Sequence, residues 1–230
     1  MTDIIIFGTG EYAELAHYYF THDAECDYNV VGFTADDDYV SEPEFRGLPV
    51  VPVSDVVKVF PPERYKAHVA LSYRKLNQIR QDKYNLMKSY GYELVSYVCS
   101  HSVTWPDLNM GDNCFILENQ TIQPTVVIGN NVMIWSGNHL GHACTIKDHT
   151  YISSHVCIAG HVVVGERCFL GVNAAVADYL TIGDDCFVGM GADVVSHAPD
   201  GAMVLCAKSN VFDKDHPLNK KIITSYFHKE

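Results

Sequence analysis

Every sixth residue from Met110 to Val194 is aliphatic. The series runs Met110, Ile116, Ile122, Ile128, Ile134, Leu140, Ile146, Ile152, Ile158, Val164, Leu170, Val176, Ile182, Val188 and Val194. A period of six matches neither an α-helix (3.6) nor an alternating strand (2). It is the signature of a parallel β-helix, in which each unit makes one short strand and one turn, and three units close a triangular coil of about 18 residues. The aliphatic residue points into the prism. The residue after it is often glycine: Gly111, Gly129, Gly141, Gly165, Gly171, Gly183, Gly189. Four residues after it come small or β-branched side chains, among them Cys114, Val126, Val132, Cys144, Val156, Val162, Cys168, Ala174, Cys186 and Ala192. Residues 110–194 therefore make about five coils.

Residues 1–98 follow a different rule. Asp3–Phe7 reads as a buried strand, Gly8-Thr9-Gly10 as a turn, and Glu11–Phe20 as a helix. Asn29–Thr34 and Ala67–Ser72 read as further strands. Ser54 is placed to cap a short helix, 55–60. Residues 74–90 have Leu76, Ile79, Tyr84, Met87 and Tyr90 spaced for one helical face, and Glu93–Val98 completes the series as a strand. Such βαβ alternation implies a parallel sheet with helices on both sides.

Composition removes several functions. The formal charge is −12, with 28 acids against 16 bases, and nonspecific nucleic-acid binding needs a basic surface. No apolar run approaches the length that spans a membrane. The opening MTDIIIFGTGEYAE carries Asp3 and no basic segment, so it does not read as a secretory signal, and a cytoplasmic location is expected. Of the eight cysteines, Cys114, Cys144, Cys168 and Cys186 fall on the repeat. Cys26, Cys99, Cys157 and Cys206 form no CxxC pair. All are expected as reduced, buried thiols.

Units such as Ile128-Gly129-Asn130-Asn131-Val132 and Ile182-Gly183-Asp184-Asp185-Cys186, preceded by Gly8-Thr9-Gly10 and Asp36-Asp37, carry a family likeness. Over residues 1–205 the chain resembles bacterial nucleotide-sugar acetyltransferases of the bacillosamine and perosamine N-acetyltransferase type. Sialic acid O-acetyltransferases share the plan. The resemblance implies a small Rossmann-like α/β domain (1–98), a left-handed parallel β-helix (99–198) and a C-terminal tail (199–230). It also implies acetyl-CoA as cosubstrate, a nucleotide-diphosphate sugar as acceptor, no metal, a role in lipopolysaccharide or O-antigen synthesis, and a homotrimer whose active sites lie between neighbouring prisms.

Histidines gather mid-prism: His139, His142, His149, His155 and His161. All are offset from the inward column. The segment Asn138-His139-Leu140-Gly141-His142-Ala143-Cys144 resembles the family's catalytic segment, with His142 in the place of the base. A neutral imidazole can accept a proton from an attacking amine near pH 7. His139, His155 and His161 are reserve bases. Gly160 stacks one coil beyond His142 and is expected to offer its N–H to the developing oxyanion. The family often has an acid directly after this histidine; here the position is Ala143, so either another group orients His142 or the base is a different histidine, and Asp148 is a candidate acid from across a subunit boundary. The resemblance maps coenzyme contacts to Tyr151, Gly160, Val172, Gly189 and Gly191. Asn173 stacks after His155, and Lys208 survives from a segment that Cys206 and Ala207 otherwise break.

The first glycine turn, Gly8-x-Gly10-x-x-Ala13, is a shortened dinucleotide fingerprint between a strand and a helix. The family uses this corner for a nucleotide-linked sugar, whereas NAD would need a larger fold. Gly8, Gly10, Glu11, Tyr12, Asp36, Asp37, Ser72, Tyr73 and Arg74 are the expected substrate contacts. The expected reaction is N-acetylation of an amino-deoxy sugar, with O-acetylation as the close variant. Two other readings compete: a metal hydratase resembling γ-class carbonic anhydrases, and a non-catalytic trimeric sugar-nucleotide-binding protein.

Overall fold

The computed structural model describes residues 1–208 and 210–227. Ser209 and residues 228–230 of the expected tail lie outside the described residues. The first domain is a sheet of β1 (Thr2–Phe7), β2 (Tyr28–Ala35), β3 (Glu44–Phe45), β4 (Leu48–Pro52) and β5 (Lys66–Val69), in the order β3-β4-β2-β1-β5. All pairs are parallel except the β3–β4 hairpin, which the sequence reading missed. Ile4, Ile5, Ile6 and Phe7 are buried in succession, as a strand covered on both faces requires. Ile4 and Ile6 pack with α1 (Glu11–His22). Ile5 and Phe7 pack with Val56 of α2 (Val56–Val59) and with Tyr84 and Met87 of α3 (Gln78–Ser89).

Three local expectations are corrected. Ser54 caps nothing; the short helix starts after Asp55, without a side-chain cap. The helix expected from residue 74 starts at Gln78, because Lys75, Leu76 and Asn77 all take left-handed backbone (φ 50°, 49° and 66°). Asn77 is fully buried and donates through Nδ2 to the carbonyls of Arg167 and Cys168, both at 3.0 Å. A docking contact overrides the helical pattern there. The stretch 93–98 divides between two sheets. Leu94 bridges to Ala67 at the edge of β5, whereas Tyr97–Val98 pairs with Phe115–Ile116 and is already part of the prism.

The prism has three parallel faces. The first carries Tyr97–Val98, Phe115–Ile116, Met133–Ile134, Tyr151–Ile152, Phe169–Leu170, Phe187–Val188 and Met203–Val204. The second runs from Thr121–Ile122 to Asp193–Val194, and the third from Asn109–Met110 to Thr181–Ile182. Register is one coil, as in Val127↔Thr145 and His139↔Cys157. Ile116, Ile134, Leu140, Ile146, Ile152, Ile158, Val164, Leu170, Ile182 and Val188 are wholly buried, and Cys114, Cys144, Cys168 and Cys186 fill the space beside them. Cys157 and Cys206 depart from expectation and are exposed, and Cys26 is half-buried. Cys157 points outward because it precedes an inward isoleucine on its strand.

The repeat glycines owe their place to coil spacing. A Cβ on Gly141 would lie 2.7 Å from backbone atoms of Ala159 and Gly160 on the next coil. Left-handed backbone falls two residues later, at Asn113, Asn131, Ala143, His149, His155, His161, Arg167, Asn173, Tyr179 and Asp185, with φ between 53° and 63°. Asn, Asp and His tolerate this region best among residues with side chains. Three of the clustered histidines therefore occupy a backbone niche of the repeat.

The first domain sits on the first face. Ala13, Ala16 and Phe20 of α1 share one apolar cluster with Phe115, Leu117, Met133 and Tyr151. The corner between the third and first faces is gripped by α3 and the turn before it. Arg80 donates through Nη2 to the carbonyl of His149 at 2.7 Å, and Tyr84 Oη donates to Asp112 at 2.5 Å. No described helix is long and apolar enough to cross a membrane.

Candidate active site

His142 lies in the turn between the second and third faces, opposite the first domain. Its imidazole is exposed and rests directly over Gly160. A Cβ added to Gly160 would fall 2.7 Å from ring Cε1 and 3.1 Å from each ring nitrogen. The edge of His142 meets His161 at 4.9 Å between ring centroids, and His161 stacks flat on Tyr179 at 4.6 Å. The backbone N–H of His142 donates to Gln123 Oε1 at 2.8 Å, and Nδ1 lies 3.3 Å from the same oxygen. Sequence reasoning passed over Gln123. Its one visible signal is a long polar side chain in a slot that the repeat usually gives to a small residue.

Gly160 does not do what was expected of it. Its N–H donates to Asp178 Oδ1 at 3.0 Å, which occupies the proposed oxyanion donor. What Gly160 supplies is the space for the histidine ring. Asp148 is on another corner, where it accepts the N–H of Asn130 at 2.8 Å.

The reserve bases separate. His161 belongs to the His142 corner. His139 points out from the second face, on a strand whose register neighbour is Cys157. His155 is in the corner between the first and second faces, its ring over Gly137. Val172, Asn173, Gly189 and Gly191 share that corner, where Val172, Asn173 and Gly191 are exposed. Lys208 is exposed beyond the last coil.

Tyr151, expected at the coenzyme, is 4 % exposed and covered by the first domain. Its hydroxyl is 3.0 Å from that of Tyr12, and its ring stacks on Phe169 at 5.2 Å. The six-residue period shows that Tyr151 faces outward but not which face the other domain covers. Desolvation and the Tyr12 contact hold its phenol far above the usual range.

The ends of β1 and β5 form the switch point of the sheet, where open α/β sheets have their crevice, because the chain runs to one side after β1 and to the other before β5. Gly10 stands exposed here as the uncapped start of α1. Gly8 does not offer a free amide, since its N–H donates to the carbonyl of Thr34 at 2.7 Å, and its Cβ position is 2.9 Å from the carbonyl of Ala70. Glu11 is exposed and Tyr12 half-buried. Ser72, Tyr73 and Arg74 follow β5, with Tyr73 4.9 Å from Phe169 and 5.0 Å from Tyr151 between ring centroids. This end of the sheet thus leads from the glycine turn onto aromatic rings of the prism. Asp36 is engaged by Lys83 Nζ at 2.6 Å, and Asp37 accepts the N–H of Ser54 at 3.2 Å. Lys83 is a cation at this edge that sequence reasoning did not find.

A family model described as bacterial transferase hexapeptide (six repeats) matches residues 125–160. Residues 125–160 carry the hexapeptide repeat that the family model describes. It is similar to PerB from Caulobacter crescentus, solved with CoA and GDP-perosamine, at 25% identity and a TM-score of 0.78, covering 93% of this chain and 98% of that one. It has the fold of the acetyltransferase domain of PglB from Neisseria gonorrhoeae, solved with acetyl coenzyme A: TM-score 0.78, 20% identity, covering 91% and 98% of the two chains. An acyl-[acyl-carrier-protein]–UDP-N-acetylglucosamine O-acyltransferase from Sinorhizobium fredii is 35% identical over 78 residues, 31% of this chain. That match spans 29% of the relative's own length.

Proposed function

We infer that the protein is an acetyl-CoA-dependent N-acetyltransferase acting on the amino group of a nucleotide-linked amino-deoxy sugar. The observation that carries this reading is an exposed imidazole seated on a glycine at a prism corner, in a chain whose first sheet also has its switch point at the ends of β1 and β5. The likeness to PerB, whose structure contains both CoA and a nucleotide-linked amino sugar, supports it.

The first domain, Rossmann-like in this reading, binds the nucleotide diphosphate at Gly10 and the start of α1, where helix amides favour an anion. Tyr12, Ser72, Tyr73 and Arg74 line the way to the sugar. Acetyl-CoA lies along the prism groove near Val172, Asn173, Gly189 and Gly191, with Lys208 toward its phosphates. The sugar amine attacks the thioester carbonyl, a C–N bond forms and the C–S bond breaks. His142 takes the proton lost by the nitrogen and returns one to the departing CoA thiolate. Holding amine and thioester together supplies much of the rate.

His142 and the sugar crevice lie on opposite sides of one left-handed prism, which supports a homotrimer in which one copy's His142 meets its neighbour's crevice. A place in surface-glycan synthesis follows from the acceptor class. The test is mass spectrometry of products after incubation with acetyl-CoA and a panel of nucleotide-linked 3- and 4-amino-deoxy sugars, beside His142→Ala. Gain of one acetyl group on one sugar, lost in the variant, is expected. Absence of binding to acetyl-CoA and to every sugar overturns the reading.

A further inference from the structure

We propose that Gln123 is the positioning residue of His142, holding the imidazole with its proton on Nδ1 so that Nε2 is the free acceptor. The kinetic part of this proposal rests on the acetyl-transfer reading. The protonation part rests on geometry alone.

The assignment follows from what a backbone N–H can do. It only donates, so the Gln123 atom 2.8 Å from the N–H of His142 is the carbonyl oxygen and not the amide nitrogen. That same oxygen lies 3.3 Å from Nδ1. A carbonyl oxygen has no proton to give, so Nδ1 carries the proton and Nε2 keeps its lone pair.

The prism explains why a glutamine is needed. At four other turns the N–H at this place is served by a side chain one coil further on. Asp112 is served by Asn130, Asn130 by Asp148, Gly160 by Asp178, and Glu166 by Asp184. His142 has no such partner, because the residue one coil on is Gly160, whose missing side chain makes room for the ring. Gln123, at the end of its strand on the preceding coil, serves the amide from the other side and reaches the ring as well. Ala143 offers nothing to the imidazole. The groups facing His142 are Gln123 from one coil and Gly160 and His161 from the next, with Asp178 engaged by the Gly160 amide. Among the described residues no carboxylate is hydrogen-bonded to the ring.

The test uses the full-length protein labelled with ¹⁵N-histidine. His142→Ala identifies the signal, and Gln123→Ala and Gln123→Glu are compared at a pH where the ring is neutral. Expected is an Nδ1–H tautomer in the unaltered protein, lost toward Nε2–H in Gln123→Ala and kept in Gln123→Glu, whose carboxylate retains the acceptor. In parallel, kcat falls roughly 10–100-fold in Gln123→Ala, with KM for acetyl-CoA within about twofold, and largely returns in Gln123→Glu. An Nε2–H tautomer in the unaltered protein overturns the proposal, as does a tautomer indifferent to Gln123→Ala. Should no acetylation occur with any acceptor, the function fails while the tautomer measurement still decides the role of Gln123.

Discussion

Two corners of the prism carry a histidine within seven residues of each other, and they make opposite uses of it. At the third–first corner His149 is 6 % exposed and belongs to a buried ladder. Asn113 Nδ2 donates to Asn131 Oδ1 at 2.8 Å, and Asn131 Nδ2 meets His149 Nδ1 at 2.9 Å. An amide NH₂ donates, so Nδ1 of His149 is the acceptor and the ring is neutral. Burial lowers its pKa to about 4. At the second–third corner His142 is exposed above a glycine. The two stand at successive places in the turn, His149 in the left-handed niche that Ala143 fills at the other corner, and their neighbours differ as well. A histidine covered by α3 and stacked on polar side chains is structural, whereas one with an empty coil position above it and solvent beside it is free to react.

Replacement at both corners is the broadest way to break this contrast. His142→Ala is expected to lower kcat about 10²–10⁴-fold and leave the melting temperature nearly unchanged, because the side chain is exposed. His149→Ala should show the reverse, a lowered melting temperature with residual activity in the folded fraction. Parallel kinetics and calorimetry check both, and equal effects at the two corners would dissolve the distinction.

Gly160→Ala sharpens the point without touching the histidine. The new methyl has no room beside the ring, so the imidazole must move by about 1 Å, which costs roughly 10²-fold in kcat/KM. The backbone of Gly160 has no left-handed strain to lose, so urea unfolding should change little.

Asn131→Ala removes the middle of the ladder. Asn113 and His149 each lose a buried partner, for an expected loss of about 1–3 kcal/mol in chemical denaturation. The same ladder has a pH signature. His149 and the buried His68 both have folded pKa values of about 4, below the ordinary 6.5, with burial as the leading cause. The unfolded chain therefore binds these protons first. Their contribution is complete above about pH 6.5, declines as pH falls toward 4, and is flat below that. Urea midpoints at pH 7 and pH 4.5 should differ, and less so in His149→Gln.

Much of the prism is legible in the sequence, because burial in a coil depends on one column and the coil repeats. The inward series and the cysteines beside it follow from spacing alone. The docking of the two domains does not. Lys75 and Leu76 look helical, and only the fit of Asn77 against Arg167 and Cys168 bends them into left-handed backbone. Tyr151 was misplaced because the repeat gives direction relative to the prism axis and says nothing about which face is covered. Gly160 was correctly paired with His142, but its amide is spoken for by Asp178, a contact between coils that spacing permits without requiring.

Asn113 has a consequence beyond the ladder. Its side-chain Oδ1 accepts the N–H of Val69 at 2.7 Å and its Nδ2 donates to the carbonyl of Val69 at 3.2 Å, so one amide pairs with the backbone of β5 as a neighbouring strand would. Residues 93–95 complete the same edge. Until the first coil is in place, the Val69 end of this edge lacks its partner, and an open strand edge is a template for pairing between chains. The first turn of the prism therefore finishes the sheet of the domain that precedes it.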